Sequence, residues 1–229
     1  MLTGTTIVFD LDGTLVDTAP DLTHALNHAL AERGHAPVML DAIRATVGRG
    51  ARAMIEAALA LSGIEDDVDR LLATFLVYYE ANIAVESRPY PGAEAALERF
   101  KDSGARLAIC TNKRESLSRK LLDAIELDRF FHAIAGRDTF PMSKPDPGHL
   151  TGAIRLAGGD PANAVMVGDS VTDIETAKAA AIPAILVGFG YGPLPPAGLV
   201  PDAVIETFEA LEDAAMLLVN GTTPIPARP

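Results

Sequence analysis

Five short apolar runs, each ending at a polar or glycine-bearing turn, constrain this chain more than any other feature. They are Thr5–Phe9 before DLDGT, Arg106–Cys110 before TN, His132–Ala135 before GRD, Ala164–Val167 before GDS and Ala184–Val187 before GFG. The runs hardly alternate, which predicts strands buried on both faces, and helical patterns between them predict parallel βαβ units. In Gly92–Lys101, Ala93, Ala96, Leu97 and Phe100 share one helix face, and Gly104 stands where a C-cap belongs. In Glu115–Glu126, Leu117, Leu121, Ala124 and Ile125 recur at the same spacing. The expected fold class is α/β, a doubly wound, mostly parallel sheet of Rossmann-like type.

Residues from about Asp17 to Val85 break this rhythm. Only helical segments are visible there: Asp21–Glu32, Asp41–Thr46, Arg49–Leu61 and Val68–Ala84. Helices inserted after the first strand cannot join the sheet, so they are expected to lie over its edge as a lid. The turn-rich stretches GTLVDTAP and ESRPYPG are the expected hinges. The expected domains are an α/β core of residues 1–16 and 86–229 and a helical cap of residues 17–85. The last nine residues, GTTPIPARP, cannot continue a helix and are read as a tail. The run Pro193-Leu194-Pro195-Pro196 carries no functional reading.

Charge narrows the partners. The 229 residues hold 19 Lys+Arg against 31 Asp+Glu, a net charge of −12. A chain so acidic, with its arginines scattered, is not expected to bind nucleic acid. A phosphorylated small molecule is still admissible, because a metal ion and a few local cations can invert the charge inside a cleft. The N-terminus lacks a basic stretch, so no signal peptide is expected. The longest nearly apolar run, Ala179–Tyr191, is too short to span a membrane. The single cysteine, Cys110, excludes a disulfide framework, and the expectation is a cytoplasmic protein, monomeric or homodimeric.

Asp10-Leu11-Asp12-Gly13-Thr14 ends the first strand, and ligands gather at the carboxyl ends of parallel strands. Alone, such a pair of carboxylates reads equally as an Asx turn or part of a calcium loop. A second acidic group, Asp169 and Asp173 in GDSVTD, follows another apolar run at the same end of the sheet. Three or four carboxylates around one cavity repel each other unless a hard divalent cation sits among them, which implies Mg²⁺. Thr111-Asn112 offers a hydroxyl and loop amides at a third strand end; a helix N-cap is the plainer reading of Thr111. Lys144, in SKPDP, is either a solvated loop lysine or, facing carboxylates, a partner for phosphate.

Taken in order, DLDGT at 10–14, Thr111-Asn112, Lys144 and GDSxxD at 168–173 resemble the four motifs of the haloacid dehalogenase-like superfamily. The resemblance covers residues 1–16 and about 86–220, and the insert falls where the C1-type cap of that superfamily belongs. TNK at 111–113, SKPDP, VGDSxxDI at 167–174, GYG at 190–192, VDTAPDL at 16–22 and VGRGA at 47–51 are most similar to the phosphoglycolate phosphatase-like subgroup. The resemblance implies a Mg²⁺-dependent phosphatase of a small phosphorylated metabolite, 2-phosphoglycolate foremost. It casts Asp10 as the nucleophile that forms an aspartyl-phosphate and Asp12 as the acid–base. Thr111 and Lys144 would hold the transferring oxygens, with the amides around Asn112 helping. The metal would be bound by the side chains of Asp10 and Asp169 and the backbone carbonyl of Asp12, while Asp173 acts through a metal-bound water or by orienting Lys144.

The cap should choose the substrate. Arg49, between Gly48 and Gly50, is the candidate fork for a small carboxylate, with a solvated helix-start arginine as the plainer reading. Lys113 and Arg114 are read as surface cations, at most rimming the way in. His24 and His28 stand four apart without an evident third ligand, and Cys110 is read as a small buried hydrophobe. Where the family commonly ends the helix after GDSxxD with glycine, this chain has Ala181, predicting either a strained left-handed cap there or a helix that ends differently. Pyrophosphate, sugar phosphates and nucleotides are alternative substrates, and a phosphomutase or a non-catalytic phosphate-binding module are alternative functions. Residues 17–85 contain no lysine, which closes the C–P hydrolase branch that needs one in its cap.

Overall fold

The computed structural model describes residues 2–193 and 195–221. Most of the tail expected at 221–229, and Leu194 of the proline-rich run, lie outside them. The chain runs β1 (Thr6–Phe9), β2 (Val16–Asp17), α1 (Ala19–Ala31), α2 (Leu40–Ile43), α3 (Ala51–Ser62) and α4 (Val68–Ala81). It continues with β3 (Arg88–Pro89), α5 (Ala93–Asp102), β4 (Arg106–Cys110), α6 (Glu115–Ala124), β5 (Ala133–Ala135) and α7 (Pro147–Leu156). Last come β6 (Ala164–Gly168), α8 (Val171–Ala179), β7 (Ala184–Val187), β8 (Ala203–Ile205) and α9 (Leu211–Val219).

Six strands form one sheet in the order β5-β4-β1-β6-β7-β8, every neighbouring pair parallel. The two faces differ in bulk. Ile7, Phe9, Leu107, Ile109, Val165 and Val167 point into a large cluster shared with α5, α6 and α9. Their alternates Val8, Ala108, Cys110 and Met166 meet Leu150 and Ile154 of α7 and Ile174 of α8 in a smaller, alanine-rich cluster. Helices on both faces explain the unbroken apolar runs. The edge strand β8 escaped the sequence reading: it is three residues long, with only Val204 exposed, too short to show a period.

Between β2 and β3 the chain is helical. α1 buries Leu22, Ala25, Leu26, Ala29 and Leu30, an i, i+3/i+4 stripe, against α4. The expected segment 41–46 is shorter as an α-helix: α2 stops at Ile43 and a 3₁₀ turn covers Arg44–Arg49. The two hinge stretches pair with each other as an antiparallel ladder, Val16 opposite Pro89 and Asp17 opposite Arg88. Buried Asp21 ties the hinges further, accepting from the Ser87 hydroxyl at 2.7 Å and from the Glu86 and Ser87 amides.

Candidate active site

Asp10 lies immediately after β1, Thr111 after β4 and Asp169 after β6, on three adjacent strands whose carboxyl ends share one rim. Parallel register accounts for the gathering: Phe9 pairs with Ile109 and with Val167, so the residues that follow leave the sheet side by side. One oxygen each from Asp10, Asp169 and Asp173 lies within 4.8 Å of the others, all three residues buried. Lys144 reaches in from the loop before α7. Its Nζ is 2.6 Å from Asp173 Oδ1 and 3.0 Å from Asp10 Oδ1, with no exposed side-chain surface.

The carboxylates are not equivalent. Both oxygens of Asp173 are engaged: Oδ2 by the Ser170 amide and hydroxyl in a capping box that opens α8, Oδ1 by Lys144. Asp169 accepts from the Thr14 hydroxyl and from the Tyr191 and Gly192 amides. Asp10 Oδ1 has no hydrogen-bond partner, although Lys144 is within ion-pairing distance; the ammonium is not aligned with it. Burial pushes the Asp10 carboxyl upward; Lys144 pulls it down, and Asp173, Asp169 and Asp12 push it up again. Asp169 is pushed to about 6 by burial and then by Asp173. Burial works against the charged form of Lys144, but Asp10 and Asp173 outweigh it, so the ammonium is held charged.

Three buried carboxylates facing one ammonium leave excess negative charge, and an oxygen-only donor set with an orphaned Asp10 oxygen fits a hard divalent cation. Tight backbone makes room for Asp169. Gly13 has φ +84 and a Cβ there would stand 2.6 Å from Asp169 Oδ2, while one on Gly190 would stand 2.2 Å from Asp169 Cβ. Neither position admits a side chain without moving Asp169.

Asp12 faces away from the triad, into a cavity of about 340 Å³ between the sheet rim and the helices of residues 17–85. Asn112, Lys113, Arg114 and Arg137 line it from below, and Gly50, Arg52, Phe75 and Tyr79 from above. The amide of Asn112 donates to the Lys144 carbonyl at 3.2 Å, steadying the lysine's loop. Thr111 is buried and its hydroxyl accepts from the Lys113 amide at 3.3 Å, an interaction of loop and strand end and not of a helix cap. Arg49 is exposed and does not line the cavity; Arg52, one turn on, does and pairs with Asp69.

Lys113 is the residue sequence reasoning misplaced. It is buried, not a surface cation: only 8% exposed, its Nζ sits 2.9 and 3.1 Å from the two oxygens of Asp12. It also lies 4.5 Å from the centre of the Tyr79 ring of α4. Burial disfavours its charge, yet Asp12 and then Tyr79 more than compensate and raise its affinity for the proton. The TNK motif at 111–113 includes Lys113 and not the exposed Arg114, but composition alone does not show that Lys113 is buried; the strand-end geometry does.

Comparisons with known proteins find relatives along most of the chain. The family model of haloacid dehalogenase-like hydrolases matches residues 7–187. A phosphoglycolate phosphatase of Mesorhizobium japonicum is 55% identical over 208 residues, covering 90% of this chain and 92% of that protein. One of Agrobacterium fabrum is 49% identical over 210 residues, covering 90% of each. The crystal structure of a predicted phosphoglycolate phosphatase from Haemophilus somnus superposes with a TM-score of 0.85 at 28% identity, over 93% of this chain and 98% of that one. The chain belongs to the haloacid dehalogenase-like hydrolases.

Proposed function

We propose that this protein is a Mg²⁺-dependent phosphatase of a small phosphomonoester, with 2-phosphoglycolate as substrate. The observation that carries the reading is the orphaned Asp10 oxygen, set beside Lys144 and a buried acidic pair under a small, cation-walled cavity. The relatives' names supply the particular ester.

In this reading Asp10 attacks phosphorus, forming an Asp–O–P bond as the ester P–O bond breaks. Asp12 gives a proton to the leaving oxygen, then takes one from the water that attacks the aspartyl-phosphate and frees Asp10. Thr18 donates to Asp12 Oδ1 at 2.7 Å and Lys113 grips both oxygens, so the acid–base is held in one orientation. Lys144 and the Thr111 hydroxyl meet the non-bridging oxygens. Asp173, its oxygens both committed, serves by aiming Lys144. Asp10, Asp169 and the Asp12 carbonyl would hold Mg²⁺, which supplies charge neutralisation to the phosphoryl oxygens. Phosphomonoesters are among the slowest of substrates uncatalysed, so these effects must act together.

Release of inorganic phosphate from a panel of phosphorylated metabolites, with and without Mg²⁺, tests the proposal. The highest kcat/KM should belong to 2-phosphoglycolate and vanish on chelation; no metal-dependent release, or a clearly better substrate without a carboxylate, would reject it. Asp10→Asn should cut turnover by roughly 10³-fold or more while the protein stays folded. Retained steady hydrolysis by that variant would remove Asp10 as nucleophile.

A further inference from the structure

Two buried polar groups in the cavity face each other from opposite walls, and the chemistry at phosphorus leaves a donor of each unused. One is Lys113, from the loop after β4, whose ammonium carries three donors of which Asp12 engages two. The other is the hydroxyl of Tyr79, on α4. Tyr79 is 1% exposed and lines the cavity, yet its hydroxyl has no hydrogen-bond partner. A buried hydroxyl without a partner is destabilising, and nothing in the packing requires it, since phenylalanine would fill the same volume. Purely structural service also explains Lys113 poorly, because a buried ion pair rarely stabilises more than an apolar pair of similar size.

Both groups lie on the Asp12 side of the cavity, where the leaving oxygen of the ester would stand. An anion there would find a charged donor from the core and a neutral donor from the helices. Arg49, the arginine expected to take this part, is exposed and outside the cavity wall.

Resting on the phosphatase reading above, we infer that Lys113 and Tyr79 form the subsite that receives the carboxylate of the leaving group. One carboxylate oxygen takes the free donor of the Lys113 ammonium, and the other takes the Tyr79 O–H. Recognition is thereby shared across the cavity, and a substrate that lacks the anion leaves the hydroxyl orphaned. Discrimination of this kind is large because the wrong substrate leaves buried donors unpaired.

The test compares 2-phosphoglycolate with ethyl phosphate, its analogue without the carboxylate, in the wild type and in Tyr79→Phe and Lys113→Met. Tyr79→Phe removes a hydroxyl that the Lys113 ammonium approaches without a well-formed hydrogen bond, so its melting temperature should not fall. Its KM for 2-phosphoglycolate should rise roughly five- to tenfold relative to that for ethyl phosphate, the loss of one hydrogen bond to a charged group. Lys113→Met should shift the ratio further in the same direction. If Lys113→Met does not fold, Tyr79→Phe decides alone, with a second arm: glycolate should inhibit wild-type hydrolysis of p-nitrophenyl phosphate at least tenfold more strongly than glycolamide. Parallel losses on both esters would show that Lys113 and Tyr79 act only through Asp12 or the packing, and would overturn the inference while leaving the phosphatase reading intact. A wild type that hydrolyses neither ester, or that does not prefer 2-phosphoglycolate, overturns both.

Discussion

Ala181 shows how a single residue registers a constraint set by its neighbours. Its φ of +55 is left-handed, and the Ile182 amide reaches back to Ala177 O at 2.9 Å to close α8. A side chain there costs about 1 kcal/mol, so Ala181→Gly should stabilise the protein by about 0.5–1 kcal/mol in urea unfolding. No gain would mean that the turn relaxes around alanine at no cost. Thr18 is the opposite case. By position it is the N-cap of α1, but its hydroxyl makes no cap bond and donates to Asp12 instead. Tyr191, 173 residues further on, does the capping: its hydroxyl accepts from the Thr18 and Ala19 amides at 2.7 and 2.9 Å and donates to Asp17. Tyr191→Phe should therefore cost about 2–3 kcal/mol, two buried amides being left without an acceptor. A loss under about 0.5 kcal/mol by the same measurement would show that water replaces the hydroxyl.

Among the elements, α7 couples the lysine loop to the sheet. His149, in its first turn, is fully buried; its Nε2 meets Gly136 O at 3.0 Å and its Nδ1 accepts from the Lys144 amide at 3.2 Å. That pair of bonds suits only a neutral ring with the proton on Nε2. Burial, and next the charge of Lys144, lower its pKa from 6.5 to about 4. Between those values the unfolded chain binds a proton that the folded one refuses, so stability is full above pH 6.5 and falls as the pH drops toward 4. The contribution at stake is about 3 kcal/mol. Urea midpoints at pH 7 and pH 4.5 should converge markedly in His149→Gln relative to the wild type. Equal slopes in both proteins would mean that His149 is protonated in the native state. The linkage was not legible beforehand, because a histidine five residues past Lys144 looks like any other until β5 supplies Gly136 as its acceptor.

For the molecule as a whole, the decisive property is the surplus of buried negative charge at one end of the sheet. Asp10, Asp169 and Asp173 repel one another, with Lys144 the one cation among them in the described residues, so a divalent ion should bind the folded state and stabilise it. Mg²⁺ at a hundred times its Kd should add about 2.7 kcal/mol, seen as a higher melting temperature that chelation reverses. In Asp169→Asn the response should largely disappear; an undiminished rise would place the ion elsewhere. The helices of residues 17–85 belong to the same balance. Their apolar stripes belong to the same buried cluster as the sheet: Leu22 and Leu26 are members of it together with Leu11 and Leu15.

Local pattern was enough to reveal five of the six strands of the sheet and the order of their polar ends. A strand buried on both faces must be apolar throughout, and the first polar residues after it must lie at the rim, so Asp10, Thr111 and Asp169 declared themselves in the chain. Lys144 read by itself as a solvated loop lysine, and it and Asp173 took their roles from the resemblance to the family's motifs. What only the tertiary structure decided is which cation meets which anion under the helices. Arg49 and Lys113 carry the same charge in equally glycine- or turn-rich surroundings, and their fates diverge because β4 delivers one to Asp12 while a 3₁₀ turn leaves the other in solvent. Burial of a charge depends on distant partners arriving with the right geometry, and that information is not local to any stretch of the sequence.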